Sequence, residues 1–170
     1  MAKKGGIVKY TGFASLLFSV AAICMIFLTA IVYKVSEEAD PTNYTGLQVI
    51  FGFTETQVSI GNVKYETEWF KFSFMNLLPY ILIAAGLVLT LLKILGGSRS
   101  KLLSIICAAC FVAGGILAFF TVNFAIVGSE QLTDLPLLDK EYMSLGIGSV
   151  LCGVFAIIAG AAKAMEFVFD

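Results

Sequence analysis

The sequence contains no histidine and few charged residues. Of its 170 residues, 14% are charged and 59% are apolar or aromatic, whereas about a quarter of the residues in soluble domains are charged. This balance excludes an ordinary soluble globular domain. The absence of histidine excludes histidine-ligated metals and haem, Ser-His or Cys-His catalysis, and the usual pH switch. It is the strongest argument in the sequence against an enzyme.

Four long apolar runs account for most of the apolar excess. A transmembrane helix needs about 20 apolar residues, and the predicted spans are 11–35, 74–95, 102–127 and 145–167. The first run is about twice as long as the apolar part of a signal peptide and has no cleavage site, so we interpret it as a retained span. We predict a single membrane domain, 1–170, built as an all-α bundle of four transmembrane helices. Lys163, near the end of the fourth span, is expected to snorkel to the headgroups.

The distribution of charge between the spans predicts the orientation. Seven basic and two acidic residues lie in the N-terminus, the loop at 93–101 and the C-terminal end, whereas four basic and ten acidic residues lie on the other side of the spans. Basic residues collect on the cytoplasmic side of membrane proteins. Both termini are therefore predicted to be cytoplasmic, in the plasma or cytoplasmic membrane, with loops 36–73 and 128–144 facing outward.

The first outer loop has the alternating pattern of β-strands. Residues 63–69 alternate apolar and charged side chains, and 54–60 precede Gly61-Asn62, so the two segments predict a hairpin around a two-residue turn. Residues 47–53 also alternate and predict a third strand. The loop is therefore expected to form a small antiparallel β-sheet, to which the second loop could add a short edge strand or a helical turn.

Aromatic residues in this loop have two interpretations. The structural one is that they are core residues and interfacial anchors for the second span, which Trp69 and Phe70 approach. The functional one is that some of them, Phe51 and Phe53 first, form an exposed patch that binds a partner. We take Phe51, Phe53, Trp69 and Phe70 as candidate interaction residues.

All four cysteines lie in the predicted spans, so the outer loops contain no disulfide. Cys107 and Cys110 form a C-x-x-C pair, which elsewhere marks redox chemistry. The pair also belongs to a stripe of small residues, and such stripes let helices approach closely in lipid. We favour this structural interpretation, and the candidate helix-packing residues are Gly114, Ala118, Gly146, Ser149, Gly153, Ala156 and Gly160.

No motif for a cofactor, a metal or catalysis is found. The sequence has no phosphate loop, dinucleotide fingerprint, zinc-protease motif or paired intramembrane carboxylates, and its acidic clusters lack the spacing of a calcium loop. Polar residues within the spans are scattered. Transport would therefore need oligomerisation or a partner subunit.

The layout resembles that of claudin-type membrane proteins. Shared features are cytoplasmic termini, a long β-rich first outer loop, a short basic inner turn at 96–101 and a shorter second outer loop. The resemblance implies a left-handed bundle of four helices carrying a small outer sheet. Claudins have a Trp, then Gly-Leu-Trp, then two cysteines in the first outer loop. This chain has Gly46-Leu47-Gln48, a late Trp69 and no cysteine there, so no claudin site residue is carried over.

These observations predict a non-enzymatic integral membrane protein. It would act through protein contacts of its outer sheet and helix faces, in assembly, in adhesion or as an accessory subunit. The expected partners are the lipid bilayer and either further copies of the chain or another membrane protein, and not nucleic acid. The alternatives are a small-solute transporter or channel subunit and, third, a thiol oxidoreductase that uses Cys107 and Cys110.

Overall fold

The computed structural model describes residues 2–36, 38–58, 64–96, 100–128 and 138–169. In chain order the elements are α1 (Ala2–Cys24), β1 (Thr29–Tyr33), β2 (Thr42–Thr45), α2 (Gly46–Phe51), β3 (Phe53–Val58), β4 (Lys64–Lys71), α3 (Phe74–Leu95), α4 (Lys101–Ala118), α5 (Thr121–Phe124), β5 (Ile126–Val127), β6 (Met143–Leu145) and α6 (Ile147–Phe169). Helices α1, α3, α4 and α6 each contain a stretch long and apolar enough to cross a membrane. The prediction of four long apolar helices is confirmed.

The four long helices alternate in direction, so the molecule has two distinct ends. Among the described residues, one end carries the six strands and the short α-helices α2 and α5, because these elements follow α1 and α4 and precede α3 and α6. The other end contains the start of α1 and the α3–α4 connection. The hydroxyl of Ser73 accepts a hydrogen bond from the backbone N–H of Asn76 and caps α3, and Ser100 caps α4 in the same way.

Two predicted spans are shorter as helices than the apolar runs that contain them. In the run 11–35, α1 ends at Cys24 and residues 29–33 form strand β1. In the run 102–127, α4 ends at Ala118 and the remainder forms α5 and β5. The cause in the first run is β1 itself, a Thr-Ala-Ile-Val-Tyr segment in the centre of a sheet. Adjacent strand residues point to opposite faces, and Ala30 and Ile31 are both buried, so the strand is apolar on both faces and looks like a continuation of the span.

The strands form two small antiparallel sheets, each of three strands. The first has the order β2-β1-β6 and the second has the order β3-β4-β5. Strand β6 comes from the second predicted loop, and β5 comes from the end of the third predicted span. The sheets are therefore assembled from three separate parts of the chain and not from the first loop alone. We call the two sheets together with α2 the sheet layer.

The predicted strand at 47–53 is wrong, because residues 46–51 form helix α2. Thr45 and Gln48 form a capping box in which each side chain bonds the other residue's backbone N–H. A Thr-x-x-Gln sequence before an apolar run is the signature of this box, and its two hydrogen bonds outweigh the weak alternation. The predicted hairpin partners correspond to β3 and β4, which pair antiparallel. Its predicted turn at Gly61-Asn62 lies outside the described residues.

The buried apolar residues form two clusters, one in each part of the molecule. Within the bundle, Phe111 and Ile83 are fully buried, and the ring of Phe111 leaves no room for a side chain at Gly86. In the sheet layer, Phe70 and Ile31 are fully buried. The sheet layer therefore has its own core and is more than a set of connections between helices.

Candidate functional site

A groove of about 400 Å³ opens between the two sheets. Its aromatic lining consists of Tyr44, Phe53 and Trp69. Its polar lining consists of Thr42, Asn43, Gln48 and Glu55. The groove combines apolar surface with a few convergent polar groups, which is the usual character of a binding site.

Three elements position these side chains. Strand β2 contributes its exposed residues Thr42 and Asn43, and the capping box of α2 places Gln48 beside them. The hairpin contributes Glu55 and Trp69, whose indole Nε1–H donates to Glu55 Oε2 at 3.2 Å. The groove exists because β2 belongs to one sheet and the hairpin to the other.

Trp69 faces the groove through an irregularity in the hairpin. Phe53 is opposite Phe70 and Thr54 is opposite Glu68, so Trp69 is an extra residue of strand β4, a β-bulge. Bulges re-aim side chains and are frequent at functional sites. At this irregularity Phe70 is fully buried, whereas the neighbouring Trp69 is partly exposed and lines the groove.

The floor of the groove is a buried tyrosine, Tyr44, that lies near the Glu55 carboxylate. Tyr44 is 5% exposed, and its ring packs edge-on against Phe70 at 4.8 Å and against Phe53 at 6.3 Å between centroids. Burial raises the pKa of the Tyr44 phenol, and the nearby Tyr33 and Glu55 raise it further. The Glu55 carboxylate is therefore close enough to act on groups at the floor.

The four candidate interaction residues lie in three different environments. Phe53 and Trp69 line the groove, whereas Phe70 is fully buried and is a core residue. Phe51 is 57% exposed at the end of α2, and its ring is 6.4 Å from that of Phe72, which is also exposed. The groove and this exposed aromatic pair are thus separate features.

The candidate helix-packing residues also divide into groups. A side chain at Gly114 would meet α3 at the carbonyl of Pro79, whereas one at Gly153 would meet the ring of Phe119, which follows α4, and one at Gly160 would meet Val112 within α4. The buried alanines of these stripes are Ala118 and Ala156.

Gly146 and Ser149 lie against strand β1 instead of another helix. A Cβ at Gly146 would be 2.3 Å from the carbonyl oxygen of Thr29, and the Ser149 hydroxyl donates to the carbonyl of Ala30 at 3.2 Å. These two residues join α6 to the sheet layer.

An ion network lies inside the bundle at the end opposite the sheet layer. Glu166 accepts from Lys93 Nζ at 2.7 Å and from Lys163 Nζ at 2.6 Å, and Lys93 also donates to the hydroxyl of Ser104. All four side chains are at most 5% exposed. The expectation that Lys163 snorkels is wrong, because the side chain is fully buried and is held by a carboxylate three residues along the same helix.

The C-x-x-C pair lies close to this ion network. Cys107 is buried and Cys110 partly buried, and both are free thiols. Among the described residues, no group of three or more His, Cys, Asp or Glu side chains could hold a metal ion. The described residues near Cys107 thus include Lys163 and Glu166 but supply no cluster of metal ligands.

Comparison of the sequence with protein families and with curated proteins gives no match. No protein-family model matches the sequence, and no curated protein is significantly similar to it.

Proposed function

We propose that this chain is a non-enzymatic integral membrane protein that acts by contacting other proteins, mainly through its sheet layer. The four long apolar helices support membrane insertion. Large apolar side chains such as Phe13 and Leu17 are 62% and 70% exposed on α1, which suits lipid and would be costly in water. With the basic residues on the cytoplasmic side, the sheet layer faces outward in a claudin-like topology.

The single observation that carries the proposal is the groove. An extramembrane layer that only connected helices would have no reason to keep an open groove of about 400 Å³ with both aromatic and hydrogen-bonding walls. The layer also has its own core, so the groove is held in shape before any partner binds. Such preorganisation lowers the entropic cost of association.

The helix faces offer a second contact surface. An apolar groove of about 430 Å³ lies between α4 and α6 and is floored by the small residues Ala108, Ala161 and Gly160. Small residues let a further helix approach closely in lipid. This surface suits another copy of the chain or a membrane protein partner in the same bilayer.

Photo-crosslinking in native membranes tests the proposal. A benzophenone side chain replaces Phe51 in the sheet layer or, as the matched control, Phe13 on α1; both positions are well exposed. We expect discrete protein adducts from position 51 and lipid or no adducts from position 13. A chain that gives no protein adduct at 51, and is a strict monomer without a co-purified partner in detergent and in lipid, would overturn the proposal.

One observation favours a second function, a small-solute transporter or channel subunit. Charged residues inside membrane bundles often mark ion or substrate pathways, and Lys93, Lys163 and Glu166 are buried within this one. Asn76, near the other end of α3, is also buried, with neither side-chain polar atom bonded among the described residues. Flux into liposomes that is lost in Asn76→Leu would establish transport, and unchanged permeability of the liposomes would exclude it.

A further inference from the structure

The groove of the sheet layer has a negative charge that its own lining does not neutralise. Among its described lining residues, Glu55 is the only ionisable group that is charged at neutral pH. Its carboxylate accepts one hydrogen bond, from the indole of Trp69. A carboxylate has about four acceptor positions, so this single bond leaves most of its capacity for a ligand. A cation fits this groove better than a neutral or anionic group.

The aromatic walls favour the same charge. The faces of aromatic rings attract cations within about 6 Å, and tryptophan does so most strongly. Trp69, Phe53 and Tyr44 line the same groove as the carboxylate. Among cationic groups, a guanidinium is planar and stacks on aromatic rings, whereas an ammonium is a strongly hydrated point charge.

We propose that the groove binds the guanidinium group of an arginine side chain presented by a partner protein. One oxygen of Glu55 would accept from the guanidinium while the plane stacks on Trp69. The surplus of acidic residues in the outer loops would attract a basic partner segment. Arginine is also among the residues enriched at protein interfaces. The inference rests on the proposed function, because it names the chemistry by which the sheet layer would recognise its partner.

Trp69 makes the inference directly measurable. It is the only tryptophan in the sequence, so the tryptophan fluorescence of the purified full chain in detergent micelles, excited selectively over the tyrosines, reports on the groove. The probe is N-acetyl-arginine amide, and the control probe is N-acetyl-citrulline amide, which has nearly the same shape but no charge. We expect a saturable fluorescence change with the arginine probe, weakened by added salt, and little change with the citrulline probe.

Two matched variants localise the response. Glu55→Gln removes the charge but keeps an oxygen that accepts from the Trp69 indole, so the groove retains its shape. Glu68→Gln makes the same charge change at an exposed residue that is next to Trp69 in strand β4 and does not line the groove. We expect the dissociation constant for the arginine probe to rise about fivefold in Glu55→Gln, the size of an exposed ion pair, and to stay unchanged in Glu68→Gln.

The inference is overturned if the arginine probe gives no saturable response, if citrulline responds equally, or if the two variants weaken binding alike. Its failure is distinguishable from that of the proposed function. Adducts at position 51 that persist in Glu55→Gln, together with no arginine response, would leave protein contact standing and reject the arginine. An arginine response without any adduct would show a cation site in a protein that lacks the proposed contacts.

Discussion

Glu166 and Glu55 lie at opposite ends of the molecule and have opposite surroundings. Glu166 is 4% exposed and has a lysine ammonium against each of its oxygens. Glu55 is exposed at the rim of a groove, with one indole N–H as its hydrogen-bond donor. The same side chain is thus enclosed and paired in the bundle but accessible in the sheet layer.

The difference assigns different expected roles to the two carboxylates, one in stability and one in the proposed binding. A buried carboxylate between two ammonium groups cannot be released without leaving a charge uncompensated in a low-dielectric interior. An exposed carboxylate exchanges its partners at little cost, because water replaces them. We therefore expect substitutions in the ion network to change stability, and equivalent substitutions in the groove to change binding.

The largest difference in stability is expected between two variants, one with Glu166 neutralised and the other with Glu55 neutralised. Glu166→Gln leaves Lys93 and Lys163 without their carboxylate and should lower the free energy of unfolding by about 3–5 kcal/mol. Glu55→Gln should change it by less than about 0.5 kcal/mol. SDS-induced unfolding of the full chain in mixed micelles measures both. Equal losses in the two variants would mean that the two ends do not differ as we argue.

The next largest loss of stability is expected at the joint between the helix bundle and the sheet layer, where Gly146 packs against strand β1. In Gly146→Ala the new methyl group would be 2.3 Å from the carbonyl oxygen of Thr29, so strand β1 and α6 must separate. We expect a loss of about 1–3 kcal/mol in the same unfolding assay. Gly12→Ala on α1 is the control, since its nearest neighbour would be 3.6 Å away. A Gly146→Ala chain as stable as Gly12→Ala would show that the joint is not tight.

Removing the N-terminal cap of α2, in the sheet layer, should cause a smaller loss of stability. Thr45→Ala deletes the hydroxyl that accepts from the backbone N–H of Gln48 and should cost about 1 kcal/mol. Thr42→Ala removes a hydroxyl from an exposed strand position and should be nearly neutral. Because α2 places Gln48 in the groove, Thr45→Ala should also weaken binding of the arginine probe. If neither stability nor binding changes, the cap does not hold α2 in place.

Some features of the fold can be predicted from the sequence because they depend on residues that are close together in the chain. The run 74–95 coincides with α3, since Ser73 caps its start and Gly96 ends it. The end of α1 was not readable, because a buried central strand continues the apolar composition of the helix. The strand predicted at 47–53 failed for a different reason. The sequence contains both the Thr-x-x-Gln capping box and an alternating pattern, and the box determines the structure.

The groove and the ion network depend on tertiary structure to different degrees. Lys163 and Glu166 are three residues apart, and this spacing places them on one face of a helix, so their pairing could have been anticipated. The contribution of Lys93 from another helix could not. In the same way, alternation identified the hairpin that carries Trp69, but neither the bulge nor the approach of β2 from the other sheet has a local signal.

The last effect appears only at high pH and links Tyr44 to the groove. Burial raises the folded-state pKa of its phenol, with Tyr33 and Glu55 adding to the shift. Below pH 10 the phenol is neutral in both states and its contribution to stability is fully present. As the pH rises from about 10 towards the folded-state pKa, only the unfolded state ionises, so stability falls by at most about 1.4 kcal/mol per pH unit.

Tyr44→Phe removes this titration, and the difference between its unfolding curve and that of the natural chain isolates the effect from other groups that ionise in the same range. In Glu55→Gln the folded-state pKa of Tyr44 should fall. The loss of stability with rising pH should therefore end at a lower pH than in the natural chain. If Glu55→Gln leaves the pH range of the loss unchanged, the carboxylate does not act on the floor of the groove. Its negative field would then be confined to the rim, and a bound cation would have to be sought there.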